Sequence, residues 1–245
     1  MKPAIKVLGV PDDINSSFMR GSSAAPPLIR EALYSASSNL FSESGLNLDQ
    51  KGIWEDLGDI EFAGEVAVEN FKKIKTFVKD VLVSDQKLVS LGGDHSVSWP
   101  ILDAHLDIWD ALDILHIDAH PDLYDSLLGN KLSHASPFAR IMEAGRASRL
   151  VQVGIRTLNK HQREQAEKFG VEIYQMKDLT KLNSLSFSKP VYCSIDIDAL
   201  DPAYAPGVSH FEPGGLSTRQ LIDCLNGFKG RLIGADIVEY NPKRD

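Results

Sequence analysis

The chain has 245 residues, 43% of them hydrophobic and 24% charged, ordinary values for a globular protein with a sizeable core. A formal net charge of −8 and a pI near 5.4 exclude a basic footprint for nucleic acid, and no Lys/Arg block offers itself to a membrane surface. No apolar run approaches the roughly 20 residues that span a bilayer. Cys193 and Cys224, with no C-x-x-C pair, exclude a disulfide framework and fit a reducing compartment.

In chain order, Ala4–Val10 reads as a strand entered almost at once, so no signal peptide is expected and a cytoplasmic location is. A helix at Pro27–Ser37, a strand at Gly52–Glu55 and a helix at Glu65–Leu82 follow. Next come strand Lys87–Leu91, helix Ser98–Leu106, strand Leu112–Asp118 and helix Ser136–Glu143. Strand Leu150–Gly154, helix Lys160–Lys168, strands Val171–Tyr174 and Val191–Ile197, helix Thr218–Phe228 and strand Leu232–Val238 complete the order. Repeated strand-then-helix order predicts a three-layer α/β/α fold with a mainly parallel sheet of about eight strands. No linker, low-complexity tract or repeat interrupts residues 1–245, so a single domain is expected. The chain stops at Asp245 soon after its last strand, where a βα unit would continue into a helix.

Four polar clusters sit where predicted strands end. They are Gly92-Gly93-Asp94-His95-Ser96, Asp118-Ala119-His120-Pro121-Asp122, Asp196-Ile197-Asp198 with Asp201-Pro202, and Glu239. Ligands of parallel α/β sheets bind beyond the carboxyl ends of the strands, so four strands deliver acids and imidazoles to one edge. Residues two apart on a strand share a face, which lets Asp118 and His120 aim together, and likewise Asp196 and Asp198. Pro121 is expected to end its strand, leaving Asp122 to be aimed by a turn, and Gly92-Gly93 allows a close backbone approach.

Four Asp carboxylates in one partly buried pocket repel strongly unless cations accompany them. Two divalent ions supply about four positive charges. A two-His, four-Asp donor set suits Mn(II) best, and nickel, cobalt and zinc are compatible with it. Such a pair of ions generates a hydroxide nucleophile near neutral pH without a Ser or Cys. No G-x-S-x-G elbow or reactive-Cys signature is present.

Plainer readings explain less. Asp196-Ile197-Asp198 fails as an EF-hand, because Leu200, Asp201 and Gly207 stand where that loop needs an oxygen ligand, Gly and Glu. An aspartyl-phosphate site accounts for one cluster and not the other three. His116 reads as a buried, hydrogen-bonded histidine below the metals, His105 and His161 as surface or packing residues on helices, and Asp94 and Asp201 as capping or supporting groups.

Gly-Gly-Asp-His-Ser, Asp-Ala-His-x-Asp and Ser-x-Asp-x-Asp-x-x-Asp-Pro, in this order, resemble the three signature motifs of the ureohydrolase family, which includes arginases and agmatinases. The resemblance runs over nearly the whole chain and is closest to plant-type arginases, through Asn15–Phe18, Gly129–Ser136, Gly154-Ile155-Arg156, Ala205–Ser217 and Gly234–Pro242. It implies an arginase-like fold and two manganese ions. His95 and Asp122 would complete one ion's ligands and His120 and Asp198 the other's, with Asp118 and Asp196 bridging. It also implies that Glu239 receives the guanidinium and that His134 shuttles protons near the leaving amine, with Asp198 as an alternative proton carrier. Asn130 resembles a position contacting the substrate's carboxylate end.

The expected reaction is hydrolysis of L-arginine to L-ornithine and urea, with agmatine or another guanidino compound as the alternative substrate. His210 and Glu212 should line the substrate's tail. A one-zinc deacetylase sharing the sheet, and a non-catalytic family member, are the readings from other classes. After Gly154-Ile155-Arg156 stands Thr157-Leu158-Asn159, with none of the acids that animal-type arginases carry there. The family's final helix is expected to be missing, and the resemblance implies a homo-oligomer, trimeric or hexameric.

Overall fold

The computed structural model describes residues 5–82, 86–179 and 185–245. Among them, eight strands form one sheet in the order β2-β1-β3-β8-β7-β4-β5-β6, with every pairing parallel. The strands are β1 (Ile5–Val10), β2 (Trp54–Asp59), β3 (Lys87–Gly92), β4 (Leu112–Ile117), β5 (Ala147–Ile155), β6 (Glu172–Gln175), β7 (Ser186–Asp196) and β8 (Lys229–Val238). Six α-helices accompany them: α1 (Ala25–Leu33), α2 (Ala67–Val81), α3 (Ser98–Leu106), α4 (Pro137–Glu143), α5 (Lys160–Phe169) and α6 (Thr218–Gly227). Ala4, expected to open β1, lies outside the described residues.

Two apolar layers sandwich the sheet. On one face Leu8, Leu88, Ile114, Leu150 and Tyr192 pack against Phe71 and Ile74 of α2, Ile101 and Leu102 of α3 and Phe138 of α4. On the other, Leu115, Val151, Val153, Cys193 and Ile195 pack against Leu221 and Cys224 of α6. Central strands are apolar toward both layers, and β4 is buried along its whole length, as the near-continuous runs in the sequence predict.

The differences from expectation lie at element ends: α1 spans Ala25–Leu33 rather than Pro27–Ser37, and β2 spans Trp54–Asp59 rather than Gly52–Glu55. β7 starts five residues before the apolar run at Val191, because Ser186–Pro190 pairs with β8 through an irregular register and carries a polar pattern. β4 ends at Ile117, one residue short of the expected Asp118 and well before Pro121. Asp118 Oδ1 accepts the His120 backbone N–H at 2.6 Å, a local side-chain turn that replaces the ladder before the proline is reached.

Candidate metal centre

Each cluster is aimed by a short turn built at a strand's carboxyl end. After β7, Asp196 Oδ1 accepts the N–H of Asp198 at 2.7 Å and caps a 3-10 turn, Ile197–Ala199. Strand alternation therefore does not aim this pair, contrary to the sequence-based expectation; the turn does. After β3, a Cβ on Gly93 would stand 1.9 Å from the carbonyl oxygen of Asp12, so only glycine lets the chain turn there. Asp94 then caps the 3-10 turn His95–Val97 through the N–H of Ser96. Asp122 and Glu239 hold positive φ values of 50° and 65°, which swing both carboxyls out of extended geometry.

These turns bring the predicted metal ligands together. His95 Nδ1 lies 3.1 Å from Asp118 Oδ2, 3.0 Å from Asp122 Oδ2 and 3.2 Å from Asp196 Oδ2. His120 Nδ1 lies 3.0 Å from Asp198 Oδ2 and 3.5 Å from Asp118 Oδ1. The five groups His95, Asp118, Asp122, Asp196 and Asp198 are buried, and His120 is partly so.

A cation fits this arrangement. The Nδ1 atom of His95 is buried and has no aligned hydrogen-bond partner, although three carboxylate oxygens surround it. Burial, with Asp198 and Asp118 nearby, pushes the Asp196 carboxyl well above the usual carboxylate range. The cluster thus carries more negative charge than it can keep ionised alone, and divalent ions would remove that excess.

The outer face of each imidazole is also held. His95 Nε2 meets Ser194 Oγ at 3.0 Å, and His120 Nε2 meets Glu212 Oε1 at 3.3 Å. His116 lies against Asp118, where a third histidine ligand would stand. However, Gln152 Nε2 donates to His116 Nδ1 at 3.0 Å, and His116 Nε2 donates to Asp118 Oδ2 at 2.7 Å. Both ring nitrogens are engaged, so His116 supports Asp118, in keeping with its sequence reading.

A cavity of about 260 Å³ opens on the cluster, lined in part by Asp122, Asp196, Asp198, His134 and Glu239. His134 Nδ1 pairs with Glu239 Oε1 at 2.8 Å, and its Nε2 meets Ser17 Oγ at 2.8 Å. Burial lowers the His134 pKa, but the Glu239 carboxylate outweighs it and lifts the value to about 9. The pairing with Glu239 thus favours the charged imidazole at neutral pH. Tyr124, Thr157, His210 and Glu212 also line the cavity.

Asn130 does not line it. Its amide donates to Asn15 Oδ1 at 3.3 Å, and its Oδ1 accepts from Leu132 N at 2.8 Å. Sequence reasoning assigned no role to Ser17 or Gln152, because neither side chain carries a motif's chemistry. Arg156 falls in a stretch that resembles the family, and only the structure shows what it does. Its guanidinium donates to the backbone oxygens of Asp198 (2.7 Å) and Glu212 (2.9 Å), which clamps the Glu212 loop to the Asp198 turn.

Two imidazoles and four carboxylates around one buried pocket, at the C-terminal edge of a parallel sheet, define the metal-assisted hydrolase class. The sequence model of the arginase family matches residues 3–245. "Arginase 2, chloroplastic/mitochondrial" of Arabidopsis thaliana is 47% identical over 258 residues, spanning 100% of this chain and 75% of that protein. An agmatinase of Bacillus cereus is 33% identical over 250 residues, spanning 98% and 84%. Among solved structures, an arginase from Medicago truncatula superposes with a TM-score of 0.94 at 46% identity, covering 99% of this chain and 81% of the other. The chain belongs to the arginase family, whose members are binuclear metal enzymes. Among the described residues no helix is long and apolar enough to cross a membrane.

Proposed function

We propose that this chain hydrolyses L-arginine to L-ornithine and urea. The observation that carries the reading is the buried cluster of two imidazoles and four carboxylates beside the Glu239–His134 pair. The higher identity to plant arginases than to the agmatinase favours arginine over agmatine.

His95 and Asp122 would hold one ion, His120 and Asp198 the other, and Asp118 and Asp196 would be shared. Manganese is the proposed metal, since a carboxylate-rich set prefers a hard ion. When bound, the two ions would offset the acids' charge and make water nucleophilic at neutral pH.

The chain's own groups do the rest. Glu239 offers two oxygens to the planar N–H donors of a guanidinium. In the free protein this carboxylate is paired with His134. An arriving guanidinium competes for it, so His134 loses the partner that raises its pKa and gives up its proton more readily. The leaving amine nitrogen receives that proton, with Asp198 as the alternative carrier. Tyr124, Thr157, His210 and Glu212 face the substrate's tail, while Asn130 would act from outside the lining.

Assembly into trimers or hexamers belongs to the same proposal, and sedimentation velocity tests it. A cytoplasmic location does too, supported by two free, buried cysteines; fractionation of the source cells decides it against the organelles named for the plant relatives. The deciding experiment measures urea released by Mn(II)-loaded protein from arginine, agmatine, guanidinobutyrate and guanidine. Arginine should be the preferred substrate. Activity on agmatine alone would replace the arginase reading with an agmatinase one.

A further inference from the structure

One step below the acids, a row of polar side chains crosses the sheet. Gln152 of β5 stands beside His116 of β4, His116 beside Ser194 of β7, and Ser194 beside Asp236 of β8. All four are fully buried. Polar groups are not placed at the centre of an apolar sandwich without partners, because each unpaired one costs stability.

The partners form a chain leading to the cluster. Tyr192 donates its hydroxyl to Asp236 Oδ2 at 2.8 Å, and Ser194 Oγ donates to Asp236 Oδ1 at 2.6 Å. The one hydroxyl proton of Ser194 is thereby committed to the carboxylate. Toward His95 Nε2, 3.0 Å away, Ser194 offers a lone pair. His95 must then carry its proton on Nε2, leaving the Nδ1 lone pair aimed at Asp118, Asp122 and Asp196. Gly234 contributes as well: a Cβ there would stand 3.1 Å from the Tyr192 ring and 2.6 Å from His105 Nε2. Its absence lets Tyr192 lie across β8 and reach Asp236.

We propose that Asp236 is a positioning residue: held by Tyr192 and acting through Ser194, it fixes the tautomer and ring orientation of His95 so that Nδ1 is free for a cation. This rests on the ligand assignment above. Loss of such an outer carboxylate weakens metal binding roughly 10–100-fold.

The test is a Mn(II) titration of wild type, Asp236→Asn, Ser194→Ala, the double variant and Tyr192→Phe, with free Mn(II) followed by electron paramagnetic resonance. Far-ultraviolet circular dichroism and thermal midpoints check the fold. One of the two equivalents should weaken about 10–100-fold in Asp236→Asn and in Ser194→Ala. The double variant should be no weaker than the worse single one, because both break one chain. Tyr192→Phe should weaken the same equivalent by less. Ser194→Ala decides the matter if Asp236→Asn does not fold, since it cuts the chain while leaving the Tyr192–Asp236 bond. Wild-type affinity at both equivalents in Ser194→Ala, or losses that multiply in the double variant, would overturn the proposal alone. Wild-type protein that takes up no Mn(II) would overturn the ligand assignment and this proposal with it.

Discussion

Glu239 carries the sharpest single-residue expectation. Its carboxylate accepts from the His95 backbone N–H and from His134, and it stands outside the proposed ligand set. Glu239→Gln should keep two ions per chain while kcat/KM for arginine falls about 100-fold, near 3 kcal/mol. Equal loss of metal and activity would place Glu239 among the ligands instead. His105 gives a pH expectation away from the centre. Burial pulls its imidazole down to about 4, against the hydrogen bond to Ile101 that raises it. An unfolded chain protonates this group near 6.5, so between the two values the unfolded state binds more protons. Stability from this residue is complete above pH 6.5 and is lost as pH falls toward 4, by about 3 kcal/mol. Urea unfolding near neutrality and near pH 4.5 should show that loss in wild type and a flatter profile in His105→Gln; parallel profiles would remove His105 as the cause.

Helices and strands were the most legible level, and the reasons are specific. α3 matches its predicted bounds because Ser98-Trp99-Pro100 opens it after a capped turn and its interior is buried almost throughout. Ser217 and Asn159 begin α6 and α5 with complete capping boxes, each answered by Gln three residues later. Ser217→Ala should cost about 1 kcal/mol in urea unfolding with arginine turnover unchanged. Asn159→Ala should cost a similar amount and also raise KM, because the Asn159 amide donates to the hydroxyl of Tyr124 in the cavity wall. An unchanged KM would show that Tyr124 is held without it. The acid and imidazole cluster proposed to hold the metals was legible because Asp and His groups stand out at apolar strand ends. Ser17, Gln152 and Ser194 were not, since a serine or glutamine gains a role only when the sheet brings its partner from another strand.

Across the whole molecule, the acid cluster is a fault that bound cations repair. Each ion held at about 100 times its dissociation constant stabilises the folded state by about 2.7 kcal/mol. Chelation should therefore lower the thermal midpoint by several degrees, and Mn(II) should restore it more fully than Mg(II). A midpoint insensitive to chelator would mean that the carboxylates are neutralised by protons. The α/β class could be read ahead of the cavity because each strand and helix announces itself in its own local pattern, whereas the strand order sets β3 beside β8 and β7 beside β4 and the cavity wall takes Ser17, Tyr124, Thr157 and Glu212 from four distant stretches.

Arg156 couples two duties that would otherwise be free to vary separately. Its guanidinium ties the Glu212 segment, proposed to face the substrate's distal end, to the bend presenting Asp198. Remodelling that segment to admit a longer or shorter guanidine therefore pulls on a cation's own support. New selectivity along this wall should emerge together with altered metal retention, and selection for one trait will be felt in the other.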